Sequence, residues 1–108
     1  MTSRIDEQEF HFQAEAAIEA LKQQLIILEE DGTFEVEEQS GVLTLSFDDP
    51  PGKFVVTPNT PVRQIWISAL STSFKLEWEA EAGAFVFPRT GESLSLLVGR
   101  LIREQLGN

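Results

Sequence analysis

The chain has 108 residues, 42% apolar and 9% aromatic, enough for one ordinary hydrophobic core and too many for a disordered acidic tail. It contains no cysteine, which excludes a disulfide framework, a thiolate metal site and a cysteine nucleophile. Its net charge of −10 is local: eleven acids and two bases lie between Met1 and Glu38, whereas seven acids face six bases from Gln39 onward.

A confined acidic region makes a directional field that cations or a basic partner can use. It disfavours nucleic acid as a direct ligand, because no basic stripe is present to neutralise phosphates. The first residues carry neither an apolar signal core nor an Arg-rich, acid-poor transit pattern, and no run approaches a membrane span. The expectation is a single domain over 1–108, cytoplasmic, with no membrane contact.

In chain order, Phe10, Ala14, Ala17, Ile18, Leu21, Leu25 and Leu28 recur at three- and four-residue steps, which predicts a helix from about Asp6 to about Glu30. At about 100° per residue, Glu15, Glu19 and Glu30 fall on a flank beside that stripe, with His11 and Glu29 at its margin. Asp31-Gly32 punctuates the helix end. Phe34 and Val36 then alternate with Glu35 and Glu37 in a half-buried strand whose outward face is acidic, and Glu38 completes the run.

A Gln39-Ser40-Gly41 turn leads into a strand over Val42–Phe47, and Asp48-Asp49-Pro50-Pro51-Gly52 forces a turn before Phe54–Thr57. After Pro58-Asn59-Thr60-Pro61, the segment Arg63–Ser68 alternates Ile65 and Ile67 with Gln64, Trp66 and Ser68. Phe74–Trp78 and Phe85–Phe87 read as further short strands. A final helix follows Gly91, with Leu94, Leu97, Val98, Leu101 and Ile102 on one stripe and Gly107 just past its end. The expected architecture is α+β: an α-β-α two-layer sandwich, with two helices on one face of a five- to six-stranded antiparallel sheet.

That arrangement leaves the other sheet face to solvent, carrying Gln64, Trp66 and Ser68. Trp66 is then either an exposed binding anchor or a ring packed across neighbouring strands. Trp78 shares parity with Phe74 and Leu76 and belongs with the core. Catalytic constellations are missing from the sequence: there is no Gly-rich phosphate loop, His-Glu-x-x-His, calcium-loop spacing or nucleophile elbow. His11 is the only histidine, and Asp48-Asp49 reads as turn chemistry.

What remains is the carboxylate ridge. Hard divalent cations prefer oxygen ligands, and Fe²⁺ accepts carboxylate, imidazole and water together. Carboxylates spread over a helix flank and a strand give several shallow sites with weak, labile binding; the alternative is a solvated face that keeps the protein soluble.

Gly41-Val42-Leu43-Thr44-Leu45 and Thr60-Pro61-Val62-Arg63-Gln64-Ile65-Trp66-Ile67-Ser68, in this order after an acidic first helix and strand, resemble the frataxin family and its bacterial branch. The match runs from about Ala14 to Leu106. The resemblance implies a non-enzymatic protein that binds iron (Fe²⁺/Fe³⁺) weakly and acts in iron–sulfur cluster assembly by regulating a cysteine desulfurase and its scaffold protein. Carried over residue by residue, Glu15, Glu19, Glu29, Glu30, Asp31, Glu35, Glu37 and Glu38, with His11, would hold iron and face the desulfurase. Gln64, Trp66, Ser68 and Lys75 would face a partner. The implied state is a monomer, with iron-dependent oligomerisation as a family property. Two other readings stay open: a ferroxidase or iron-storage activity, and a metal-independent acidic interaction module. Val62, Lys75 and Phe85 stand where mitochondrial members carry asparagine, arginine and tryptophan.

Overall fold

The computed structural model describes residues 5–30 and 32–107. Helix α1 (Glu7–Glu29) starts where the Asp6 carboxylate accepts the Glu9 amide at 2.8 Å, satisfying one of the donors that a helix N-terminus leaves open. Phe10, Ala14, Ile18, Leu21 and Leu25 bury one face of it. Leu28, expected on the same stripe, is 47% exposed, because burial ends at Leu25 while the helix continues another turn.

Among the described residues seven strands follow: β1 (Phe34–Gln39), β2 (Val42–Asp48), β3 (Pro51–Asn59), β4 (Gln64–Ala69), β5 (Thr72–Glu79), β6 (Ala84–Phe87) and β7 (Glu92–Ser93). Each pairs antiparallel with the next, so the sheet is a simple meander in sequence order. The strand beyond the expected five or six is β7, whose Ser93 and Glu92 pair with Val86 and Phe87. Two polar residues are too few to leave an alternating signal.

Strand β3 is longer than its apolar run. It takes in Pro51, opposite Asp48, and extends to Asn59. Pro58 lies past Val56, the last β3 residue paired with β2, where a missing amide donor removes no bond to that neighbour. Arg63, expected in the fourth strand, instead adopts a left-handed conformation (φ 55°) that closes a 3-10 turn over Thr60–Val62. Its amide donates to the Thr60 carbonyl at 3.1 Å, so β4 begins at Gln64.

Helix α2 (Leu94–Leu106) is capped by Ser93, which accepts the Leu96 amide at 3.4 Å, and ends at Gly107 with φ 82°. The stripe Leu94, Leu97, Val98, Leu101 and Ile102 is buried. The single core lies between both helices and the inner sheet residues Leu43, Leu45, Phe54, Val56, Ile65, Ile67 and Leu76. Aromatic contacts pin its two ends. Phe47 packs on Phe34 and Phe54 at centroid distances of 5.5 and 4.8 Å, and Phe85 packs on Phe10 and Trp78 at 5.7 and 5.2 Å. Trp78 is half-buried on this core side, as its parity predicts.

The far end of α2 is tied to the β2–β3 turn, where the Gln105 amide donates to the Pro50 carbonyl at 2.8 Å. A Cβ on Gly52 would stand 2.6 Å from that amide nitrogen, so a side chain there would push the flexible Gln105 amide off its acceptor. Among the described residues, no helix is long and apolar enough to cross a membrane.

Candidate functional site

The acidic residues do not form one continuous ridge; the edge strand β1 divides them between two faces of the sheet. Alternation puts Glu38 on the side of Phe34 and Val36, facing the helices, and puts Glu35 and Glu37 on the opposite, open face. On the helix side, Glu38 meets His11, Glu15, Glu19 and Lys22 of α1 around a groove of about 510 Å³. Ala14, Ile18, Ser40, Gly41 and Pro58 complete its lining.

Lys22 sits among these carboxylates. Its Nζ is 3.5 Å from Glu38 Oε1, with both side chains about one-third exposed, and the other Glu38 oxygen accepts the Gly41 amide at 3.2 Å. Glu19 accepts from the Gln23 amide at 2.7 Å. The sequence reading did not single out Lys22. Its spacing, three residues after Glu19 and seven after Glu15, is the signal that places it on the same helix flank.

Two other ridge residues, Glu29 and Glu30, stand apart from this groove. Glu29 accepts the Val36 amide at 2.8 Å, a bond that ties the end of α1 to β1. Glu30 is the exposed C-cap of α1, its own amide turned back to the Ile27 and Leu28 carbonyls. Asp31 lies outside the described residues. Among the described residues, no three His, Asp or Glu side chains converge tightly enough to cage an ion. The groove therefore offers a few hard oxygen donors and one imidazole at its rim, suited to a hydrated cation or a basic side chain.

The open sheet face carries a second cluster. Trp66 Nε1 donates to Gln64 Oε1 at 2.7 Å, Gln64 Nε2 donates to Glu77 at 3.3 Å, and the Lys75 ammonium lies 4.9 Å from the Trp66 ring centroid. Register explains the grouping: Thr57, Trp66 and Lys75 are opposite one another on β3, β4 and β5, and Gln64 is opposite Glu77. Trp66 is half-buried by this cross-strand packing and is not a fully exposed anchor. Ser68 is exposed beside it, opposite Ser73. In the next row, Glu37 is followed by Thr44, Val55 and Ser68, so the edge acids and the Trp66 cluster share one face about three strand spacings apart, roughly 14 Å.

Among the described residues, the one strongly perturbed ion pair lies away from both clusters. Arg100 grips Glu92 with two bonds of 2.8 and 3.0 Å and also reaches Glu104 at 2.6 Å. These bonds, with one from Thr90, hold the Glu92 carboxyl below the usual carboxylate range and hold the Arg100 guanidinium more firmly charged.

Comparison with known proteins gives one consistent result. A family model described as a frataxin-like domain matches residues 3–108. The "Iron-sulfur cluster assembly protein CyaY" of Pseudomonas entomophila is 29% identical over 103 residues, covering 95% of this chain and 91% of that protein. The protein of the same name from Azotobacter vinelandii is 29% identical over 92 residues, covering 83% of each chain. Among solved structures, the frataxin of Psychromonas ingrahamii superposes with a TM-score of 0.71 at 18% identity, covering 94% of this chain and 91% of the other. That likeness supports the two-helix, antiparallel-sheet fold.

Proposed function

The chain belongs to the frataxin-like family, and from that premise we propose that it acts in iron–sulfur cluster assembly as a non-enzymatic, iron-binding regulator of a cysteine desulfurase and its scaffold protein. Relatives named for iron–sulfur cluster assembly support the process. The observation that carries the finer reading is the groove where Glu15 and Glu19 of α1 meet Glu38 of β1, with His11 at its edge. Acids contributed by two elements create a negative surface that the fold maintains, and like-charge repulsion there is relieved when a cation or a basic surface arrives.

Iron is cargo in this scheme, held loosely by carboxylate oxygens that keep much of its water. Glu35 and Glu37 extend the negative field over the sheet edge. The Gln64, Trp66, Ser68 and Lys75 cluster supplies a partner-facing surface with hydrogen-bonding groups and one aromatic ring, the composition of a protein contact.

Titration with Co²⁺ or Fe²⁺, followed by amide resonances, tests the metal role. The expected result is selective perturbation at His11–Lys22 and Glu35–Gly41. Uniform or absent perturbation at millimolar metal would remove the groove as a metal site.

A second reading, metal-independent docking of a basic partner surface, is favoured by Lys22 and Glu29. Lys22 already supplies a cation to the groove, and Glu29 is engaged with the Val36 amide. Desulfurase binding that persists undiminished in chelator would select this reading.

A further inference from the structure

We propose that the solvent side of α1, which borders the carboxylate groove along Glu15 and Glu19, is a docking surface for a basic amphipathic helix of a partner protein, independent of iron. Beyond its buried stripe, α1 carries a second one. Phe12, Ala16, Ala20, Gln23 and Ile27 follow one another at three- and four-residue steps and are all exposed. Phe12 and Ile27 are each 67% exposed, a large apolar display on a small, highly charged protein.

The stripe runs over sixteen residues, Phe12 to Ile27, roughly 22 Å of helix. No charged residue falls on it. Glu9 and Glu30 bound its two ends, and Glu15 and Glu19 run along one side. Gln13 and Gln23 bond to Glu9 and Glu19, both at 2.7 Å, and the second bond draws the Glu19 carboxylate against the edge of the stripe.

The small side chains of Ala16 and Ala20 also open a groove of about 310 Å³ between α1, the turn at Gly83 and the start of α2 at Ser95, with Trp78 in its lining. That volume admits one or two aliphatic side chains. An uncharged centre, an adjoining cleft and an acidic rim are complementary to a helix with an apolar face and basic flanks. The same rim argues against a second copy of this chain and against an anionic membrane, since both would bring like charges together.

The test uses an 18-residue helical peptide with leucines on one face and lysines flanking them. Matched peptides carry glutamate flanks or a scrambled leucine pattern. In a Trp66→Phe background, Trp78 is the sole tryptophan and reports occupation of the groove. The expected result is saturable change in Trp78 emission with the lysine-flanked peptide alone, and at least tenfold weaker binding for Phe12→Ser and Ile27→Ser. These positions are exposed, so thermal melting should stay close to that of the parent and exclude unfolding as the cause. The proposal is overturned by no binding up to 200 µM peptide, by equal binding of the glutamate-flanked peptide, by affinity that ignores both serine variants, or by concentration-dependent dimerisation of the protein alone.

Discussion

Lys22→Gln should tighten divalent-metal binding in the α1–β1 groove by about fivefold. Lys22 Nζ lies 3.5 Å from Glu38 and lines the same groove as Glu15 and Glu19. A divalent ion bound among those carboxylates would sit on the order of 5 Å from the ammonium, a repulsion of about 1.7 kcal/mol at the dielectric of water. Screening with a Debye length of about 10 Å at 0.1 M salt reduces this to about 1 kcal/mol, or roughly fivefold in affinity. Losing the exposed pair costs folding stability only about 0.2–1 kcal/mol, and glutamine keeps a hydrogen-bond donor. Calorimetric titration with Co²⁺ at 20 mM and 300 mM salt measures the effect, which should shrink at the higher salt. Unchanged or weaker binding of Co²⁺ by Lys22→Gln would refute the placement of the ion beside Lys22.

Other substitutions separate structural from functional roles. Glu29→Ala should lower stability by about 1–2 kcal/mol by leaving the Val36 amide without its acceptor, whereas Glu29→Gln, which keeps an oxygen there, should lose less; chemical denaturation compares them. Arg100→Gln should destabilise by about 1 kcal/mol at neutral pH, given that the pair is partly exposed. The folded-state pKa of Glu92 is depressed, so the pair's contribution is present above the ordinary carboxylate pKa and fades as pH falls through the lower folded value. The two proteins' melting temperatures should therefore converge in acid, and a gap that widened there would contradict the assignment. Phe10→Ala should cost about 3–5 kcal/mol, because its fully buried ring packs edge-on against Phe85.

Periodicity makes both helices and the inner face of the sheet legible in the sequence. Phe10 to Leu25 and Leu94 to Ile102 repeat at helical spacing, and Ile65/Ile67 alternate with Gln64/Trp66/Ser68. What periodicity could not carry were features set by pairing. β7 has two polar residues, β3 recruits proline-containing flanks through its neighbours, and Arg63 is drawn into a left-handed turn by the Thr60 carbonyl.

The same limit applied to the site. Acidity in the first third points to α1 and β1, but composition does not say which side of a strand a carboxylate faces. Register sends Glu38 to the groove and Glu35 and Glu37 to the open face, and only tertiary contact reveals that Glu29 is held by Val36 and that Lys22 is set among acids. The second stripe of α1 went unread because alanine and glutamine between two apolar residues look like ordinary helix surface until their exposure is known.

Sulfide release by a purified cysteine desulfurase, titrated with the protein and with its Glu15→Lys/Glu19→Lys double variant, puts the proposed role to the test. The wild-type chain should change the rate saturably, and the variant should require at least tenfold more protein for the same change, with the difference shrinking as salt rises. Superimposable titrations, or no effect of either protein at any concentration, would contradict it.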